Sequence, residues 1–155
     1  MDDATSSRLL QNLQDADPQV REWATHELWE NWFWQKGLAG LKLLQQSQAS
    51  LDAGDLGAAE VVLNDVIERH PDFAEAWNRL AVLHYTQKQF DQARLDCEAV
   101  LRLVPFHFGA LHGLGLCHAS LGNYREAVHA FHEALAVQPY ALINQKLLLE
   151  CSAKL

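Results

Sequence analysis

Long apolar runs are missing from this chain. No stretch of 18 or more apolar residues occurs, so the sequence predicts no membrane span. Cysteine is scarce and unpaired. Cys97, Cys117 and Cys151 are isolated and odd in number, with no CxxC, which excludes a disulfide framework and a closely paired zinc site. They read as reduced core thiols of a reducing compartment, cytoplasm or organelle stroma. Positive charge is short as well. Twelve Lys and Arg stand against 20 Asp and Glu, and a net charge of −8 does not suit a surface that must displace counterions from nucleic-acid phosphate. The acidic start, MDDATSSR, lacks the basic and apolar character of a secretory or transit segment, so any targeting peptide lies outside this sequence. Phosphate-binding loops, Ser-His-Asp patterns and paired catalytic carboxylates are also missing. Gly113-Leu114-Gly115 follows no strand, and its glycines are read as close-packing positions. Catalysis is not expected, and no cofactor is implied.

Half of the residues are apolar, enough for a real core. They recur with a fixed step. Pro71, Pro105 and Pro139 lie 34 residues apart, as do Ala59, Ala93 and Ala127, and as do the bulky Leu56, Phe90 and Tyr124. A period of this length marks a repeat array. Helices are expected in pairs over 41–53 and 56–69, 74–87 and 90–103, and 108–121 and 124–137. Gly54 and Gly122-Asn123 sit in turns. The alanines fall where the helices of a hairpin cross, with Ala81 and Gly115 as the facing small positions. Each proline denies its second helix the N–H that another turn requires.

Trp77, Leu80, Ala81, Ala93 and Pro105, followed by Leu114, Gly115, Gly122, Ala127, Phe131, Ala134 and Pro139, resemble the tetratricopeptide repeat (TPR) family. The segments AEAWNRLAVLHY and HFGALHGLG look like those of small bacterial and plastid TPR proteins. The first repeat departs from the pattern, with Gln46 and Ser47 where Leu and Gly are usual, and His84 and His118 replace a frequent tyrosine. The resemblance implies an all-α, right-handed superhelical TPR solenoid. Residues 1–37 would form an N-terminal helical hairpin, similar to a HEAT repeat through Asp15, Asp17, Val20, Arg21, Ala24 and Leu28. Residues 40–139 would form three TPR units (40–73, 74–107 and 108–139), and 140–155 an amphipathic capping helix. Residues 1–7 are expected to be frayed before a short helix over 8–14. Asp17 and Pro18 would open a second helix ending near Gln35 and Gly37.

The family holds partner proteins along a concave face lined by the first helices. Carried over by phase, that face would present Leu44, Gln48 and Leu51, then Glu75, Asn78, Arg79, Val82 and Tyr85, then His112, Leu116 and Ala119. The family's carboxylate clamp for heat-shock chaperones uses lysines, asparagines and an arginine. Leu44, Gln48, Arg79, Gly109 and Gly113 stand in its place, with one cation among them, so such a clamp is not expected. A protein or peptide segment, amphipathic or extended, is the implied partner, and the implied role is a non-catalytic adaptor or assembly factor.

Four of the five tryptophans crowd the second helix: Trp23, Trp29, Trp32 and Trp34, with Phe33 between them. Val20, Ala24, Leu28 and Trp32 make one apolar row. This helix is expected to pack on the first repeat and seal its open end. Alternatively, Trp23 or Trp34 stays exposed as a partner patch, and the chain self-associates as a dimer through this end. The seven acids of residues 1–35 disfavour anionic lipid. His107, His112, His118, His129 and His132 raise a metal- or ligand-sensor reading, but by repeat phase they diverge, and no metal site is expected. The final Ala-Lys-Leu is a variant of a peroxisomal tripeptide and is given little weight.

Overall fold

The computed structural model describes residues 1–155 as nine α-helices without a strand: α1 Asp3–Asn12, α2 Pro18–Phe33, α3 Gly37–Asp52, α4 Leu56–Arg69, α5 Ala74–Thr86, α6 Phe90–Leu103, α7 Phe108–Ser120, α8 Tyr124–Val137 and α9 Leu142–Ser152. Helices α3/α4, α5/α6 and α7/α8 form hairpins that stack in order, and α9 packs on α8. The result is an all-α solenoid of stacked helical hairpins. Each hairpin turns at one phase of the 34-residue period. Gly54 (φ +77°), Lys88 (φ +61°) and Gly122 (φ +79°) all occupy the left-handed region. The next residue's N–H reaches back to Ser50, His84 and His118 carbonyls at 2.9 Å in every case, which closes the first helix of each pair.

Packing inside the hairpins follows a size exchange. A Cβ added at Gly115 would fall 2.5 to 2.8 Å from ring carbons of Phe131. At the same phases, Ala81 and Cys97 occur in the second hairpin and Ser47 and Leu63 in the first. The bulkiest of the three second-helix residues, Phe131, thus faces the one glycine, because the helix axes cannot separate without opening the stack.

The N-terminal pair departs from expectation in three ways. Residues 1–7 are not frayed: Asp2 caps α1, its carboxylate accepting the Thr5 N–H at 2.7 Å. Helix α3 begins a turn early, at Gly37 (φ +62°). Nor does α2 seal the free end of the first repeat. Asp17 caps it as expected, but it then crosses the loops that open successive first helices. Arg21 lies over the Tyr140 ring at 3.9 Å, and Trp29 and Trp32 pack on Phe108. At its far end Phe33 packs against Leu44 and Phe73. Leu9 of α1 and Leu13, which caps its C-terminus, back this arrangement in one cluster with Ala24, Leu28, Trp32 and Phe108. Ala24, Leu28 and Trp32 of the apolar row are thus buried against the edge of the array, and Val20 is half-buried.

The two inter-helix histidines share a phase but not an environment. His84 is held by Asp96 through Nδ1 at 2.5 Å and faces Glu60 through Nε2 at 3.5 Å. One period on, Arg94 and Ala130 replace those carboxylates, and the buried Nδ1 of His118 has no partner. Burial, then Arg94, hold His118 below its ordinary pKa. A histidine lowered on folding gives stability that is complete above its ordinary value and is lost as pH falls through the folded one. His118→Phe is therefore expected to flatten the decline in urea midpoint between about pH 7.5 and about pH 5.5. An unchanged pH profile would refute this.

Candidate functional site

Helices α3, α5 and α7 present one face as a groove, and α2 supplies a wall that the repeat pattern did not announce. Between α2, α3 and α5 lies a cavity of about 440 Å³ lined by His26, Trp29, Glu30, Phe33, Gln48, Leu51, Glu75, Asn78, Arg79 and Val82. A second cavity, about 200 Å³, lies between α5 and α7. Asn78 and Val82 border both, and Tyr85, His112, Leu116, Cys97 and Cys117 line the second. Of the residues expected in the groove, Gln48, Leu51, Glu75, Asn78, Arg79, Val82, Tyr85, His112 and Leu116 are brought to these two cavities. Leu44 is not. It is fully buried against Val66, Phe73 and Ala76, with Phe33 packed on it. Ala119 also lines neither, and packs instead toward the α8–α9 cluster.

A polar relay stiffens the first cavity. His107, wholly buried, caps α7 by accepting the Ala110 N–H at Nδ1 (3.1 Å), which leaves Nε2–H to donate to Glu75 at 3.3 Å. The same carboxylate accepts from Asn78 and lies 3.6 Å from the Arg79 guanidinium, which donates to Gln48 at 2.8 Å. Arg79 is therefore a neutralised cation. His107 was read only as a possible ligand. Its proximity to Phe106 and Phe108, aromatic residues just after Pro105, was the available sign that this loop is covered.

The second cavity is mostly apolar, and its rim is open, with Val82 56 % exposed. Tyr85 packs its ring near Phe90 and shares a 3.1 Å hydrogen bond with Ser120. His112 is fixed by Asn144 of α9 at 2.6 Å.

The aromatic residues of α2 divide. Trp32 is buried, Trp29 and Phe33 are half-buried and stacked on each other at 5.6 Å, and Trp23 and Trp34 are exposed. On the other side of α5 a wider depression of about 740 Å³ contains the Asp96–His84 pair, but no Ser, Thr or Cys lines it. Both nitrogens of that histidine already face carboxylates. Burial raises Asp96, against the opposing hydrogen bond from His84. No group of three or more His, Cys, Asp or Glu converges as metal ligands would.

Tetratricopeptide repeat models match residues 44–108 and 109–140. The chain belongs to the tetratricopeptide repeat family. A TPR repeat-containing protein of Rhizobium etli is 30 % identical over 127 residues, which cover 81 % of this chain and 62 % of that relative, so the chain spans under two thirds of its length. Among solved structures, the first TPR of Spaghetti (RPAP3) bound to an HSP90 peptide superimposes with a TM-score of 0.71 at 18 % identity, over 73 % of this chain and 90 % of that one. The Arabidopsis OM64 TPR domain gives 0.71 at 18 % identity, over 76 % and 97 %. These likenesses establish the TPR fold. No helix of this TPR protein is long and apolar enough to cross a membrane.

Proposed function

We propose that the chain is a non-catalytic adaptor that holds a segment of a partner protein in the groove between α2, α3, α5 and α7. The observation that carries this reading is the exposed Val82 set between two cavities, with Tyr85 and Leu116 beside it. An apolar side chain left in water at the rim of a cavity gains by being covered. The similar Spaghetti domain is described with an HSP90 peptide, SRMEEVD, bound, which supports use of the fold for peptides.

The chemistry of this groove favours a different segment. Where the family clamps a carboxylate, Leu44 is buried, Gln48 is bonded to Arg79, and Arg79 is matched by Glu75. Trp29 closes over Gly109, whose Cβ would meet its ring at 2.8 Å. An uncharged, mixed surface suits an amphipathic helix or an extended segment with apolar side chains directed at Val82 and Leu116.

A photo-crosslinking residue placed at Val82 should capture a partner from native lysate, and the same residue at Val61, 70 % exposed on α4, should not. Leu116→Glu should abolish the capture at unchanged helicity. A free acidic SRMEEVD peptide should fail to compete. Equal capture from Val61, or capture that survives Leu116→Glu, would place binding elsewhere.

A further inference from the structure

Two of the three cysteines meet at the floor of the groove. Cys97 comes from α6 and Cys117 from α7, both line the smaller cavity, and they are 2 % and 1 % exposed with their thiols free. Gly113 of α7 leaves room for the Cys97 sulfur. A Cβ there would stand 3.1 Å from the Cys97 sulfur. Gly113 and Cys117 are four apart on one helix and so share a face, which puts Cys117 one turn from the point where the Cys97 sulfur meets α7. Cys151 is separate, packed with Ala127 and Phe131 under α9.

We propose that Cys97 and Cys117 are an oxidisable pair that closes to a disulfide when a peroxide enters the groove, tying the second repeat to the third. Roles divide between the sulfurs. Pairing with Cys117, and burial after it, raises the Cys97 thiol, while pairing with Cys97 lowers Cys117 in spite of burial. Arg94 adds to the lowering at Cys117, and Asp96 opposes it. The Cys117 thiolate is thus the attacking group. It takes one oxygen from hydrogen peroxide, the O–O bond breaks, and the departing hydroxide leaves as water with one proton. The sulfenic acid formed is attacked by the Cys97 sulfur. The S–S bond forms, and the sulfenic oxygen leaves as a second water with the Cys97 proton. Two thiols are oxidised by two electrons, and one peroxide is reduced to two waters.

A soft metal ion fits this pair less well. It needs both sulfurs as thiolates, and Asp96 and Glu98 beside Cys97 oppose the second negative charge. The disulfide is neutral and buries no new charge.

The test treats the reduced, folded chain with hydrogen peroxide and reads intact mass and non-reduced peptide maps, using wild type, Cys97→Ala, Cys117→Ala and Cys151→Ala. Met1, 52 % exposed, reports the peroxide dose within each sample. Wild type and Cys151→Ala should lose two hydrogens and yield one linked peptide joining residues 97 and 117. Cys97→Ala should instead accumulate a sulfenic acid at Cys117, trapped by dimedone. The proposal falls if the link involves Cys151, if Cys117 of wild type passes to sulfinic acid unlinked, or if Met1 oxidises while both thiols stay intact. Wild type and Cys151→Ala decide the linkage even if the two groove variants fold poorly.

Discussion

Trp32→Ala is expected to cost about 3–5 kcal/mol of folding stability, the range for removing a large buried aromatic residue. The ring is 4 % exposed and stacks on His107 with centroids 4.0 Å apart, and it meets Phe108 at 5.0 Å and the edge of Trp29 at 5.2 Å. It is the point at which the N-terminal helices are fastened to the loop between the second and third repeats. Its loss also uncovers His107, which caps α7 and donates to Glu75, so the damage should extend to the groove. Trp34, two residues on, is 47 % exposed, and its indole N–H reaches only Glu30, at 3.2 Å. Trp34→Ala should change stability by less than about 0.5 kcal/mol. Urea midpoints measure the difference, and hydrogen exchange should quicken in α1 and α2 of Trp32→Ala while α8 keeps its protection. Similar losses from both substitutions would mean that α2 is not fastened through its buried row.

The contrast between these tryptophans shows what the sequence could and could not deliver. The row Val20, Ala24, Leu28, Trp32 said which face of α2 turns inward, since periodicity encodes a face. It could not say against what. The partners are Val104, Phe106, Phe108 and Val137, in or beside loops where the repeat imposes no fixed residue. Within the repeats legibility was high, because a steric rule acts at the same phase three times. The turn positions 54, 88 and 122 adopt one conformation although Lys88 is not a glycine.

Phase misled at Leu44, where the N-terminal helix intervened, and at Ala119, which packs toward the α8–α9 cluster. Leu44, Asn78 and His112 are equivalent positions. Asn78 and His112 reach the groove, while Leu44 is covered by Phe33 and Phe73. The histidine cluster likewise dissolved into separate tasks: capping at His107, an unpartnered inter-helix position at His118 and a tie to α9 at His112. The contacts of His107 with Glu75 and of His112 with Asn144 each span 32 residues, which a local pattern does not contain.

Gly115→Ala should have opposite effects in two backgrounds, and that reversal tests the size exchange inside the hairpins. In wild type the new methyl would meet the Phe131 ring, which is fully buried and cannot move aside. Overpacking of this kind costs about 1–3 kcal/mol. Alanine is itself the better helix former by about 1 kcal/mol, so the measured loss is what remains after that gain. Phe131→Leu alone should destabilise by opening space opposite Gly115. Once it is made, the methyl has room, and Gly115→Ala should raise the urea midpoint. The second repeat already carries such a solution in Ala81 opposite Cys97, with both residues buried. The interaction between the two substitutions should lie within about 0.5–3 kcal/mol, as for residues in direct contact. If Gly115→Ala destabilises both backgrounds equally, the glycine is required by the backbone and not by the ring across from it, and the pairing of smallest with largest residue in the third hairpin loses its physical basis.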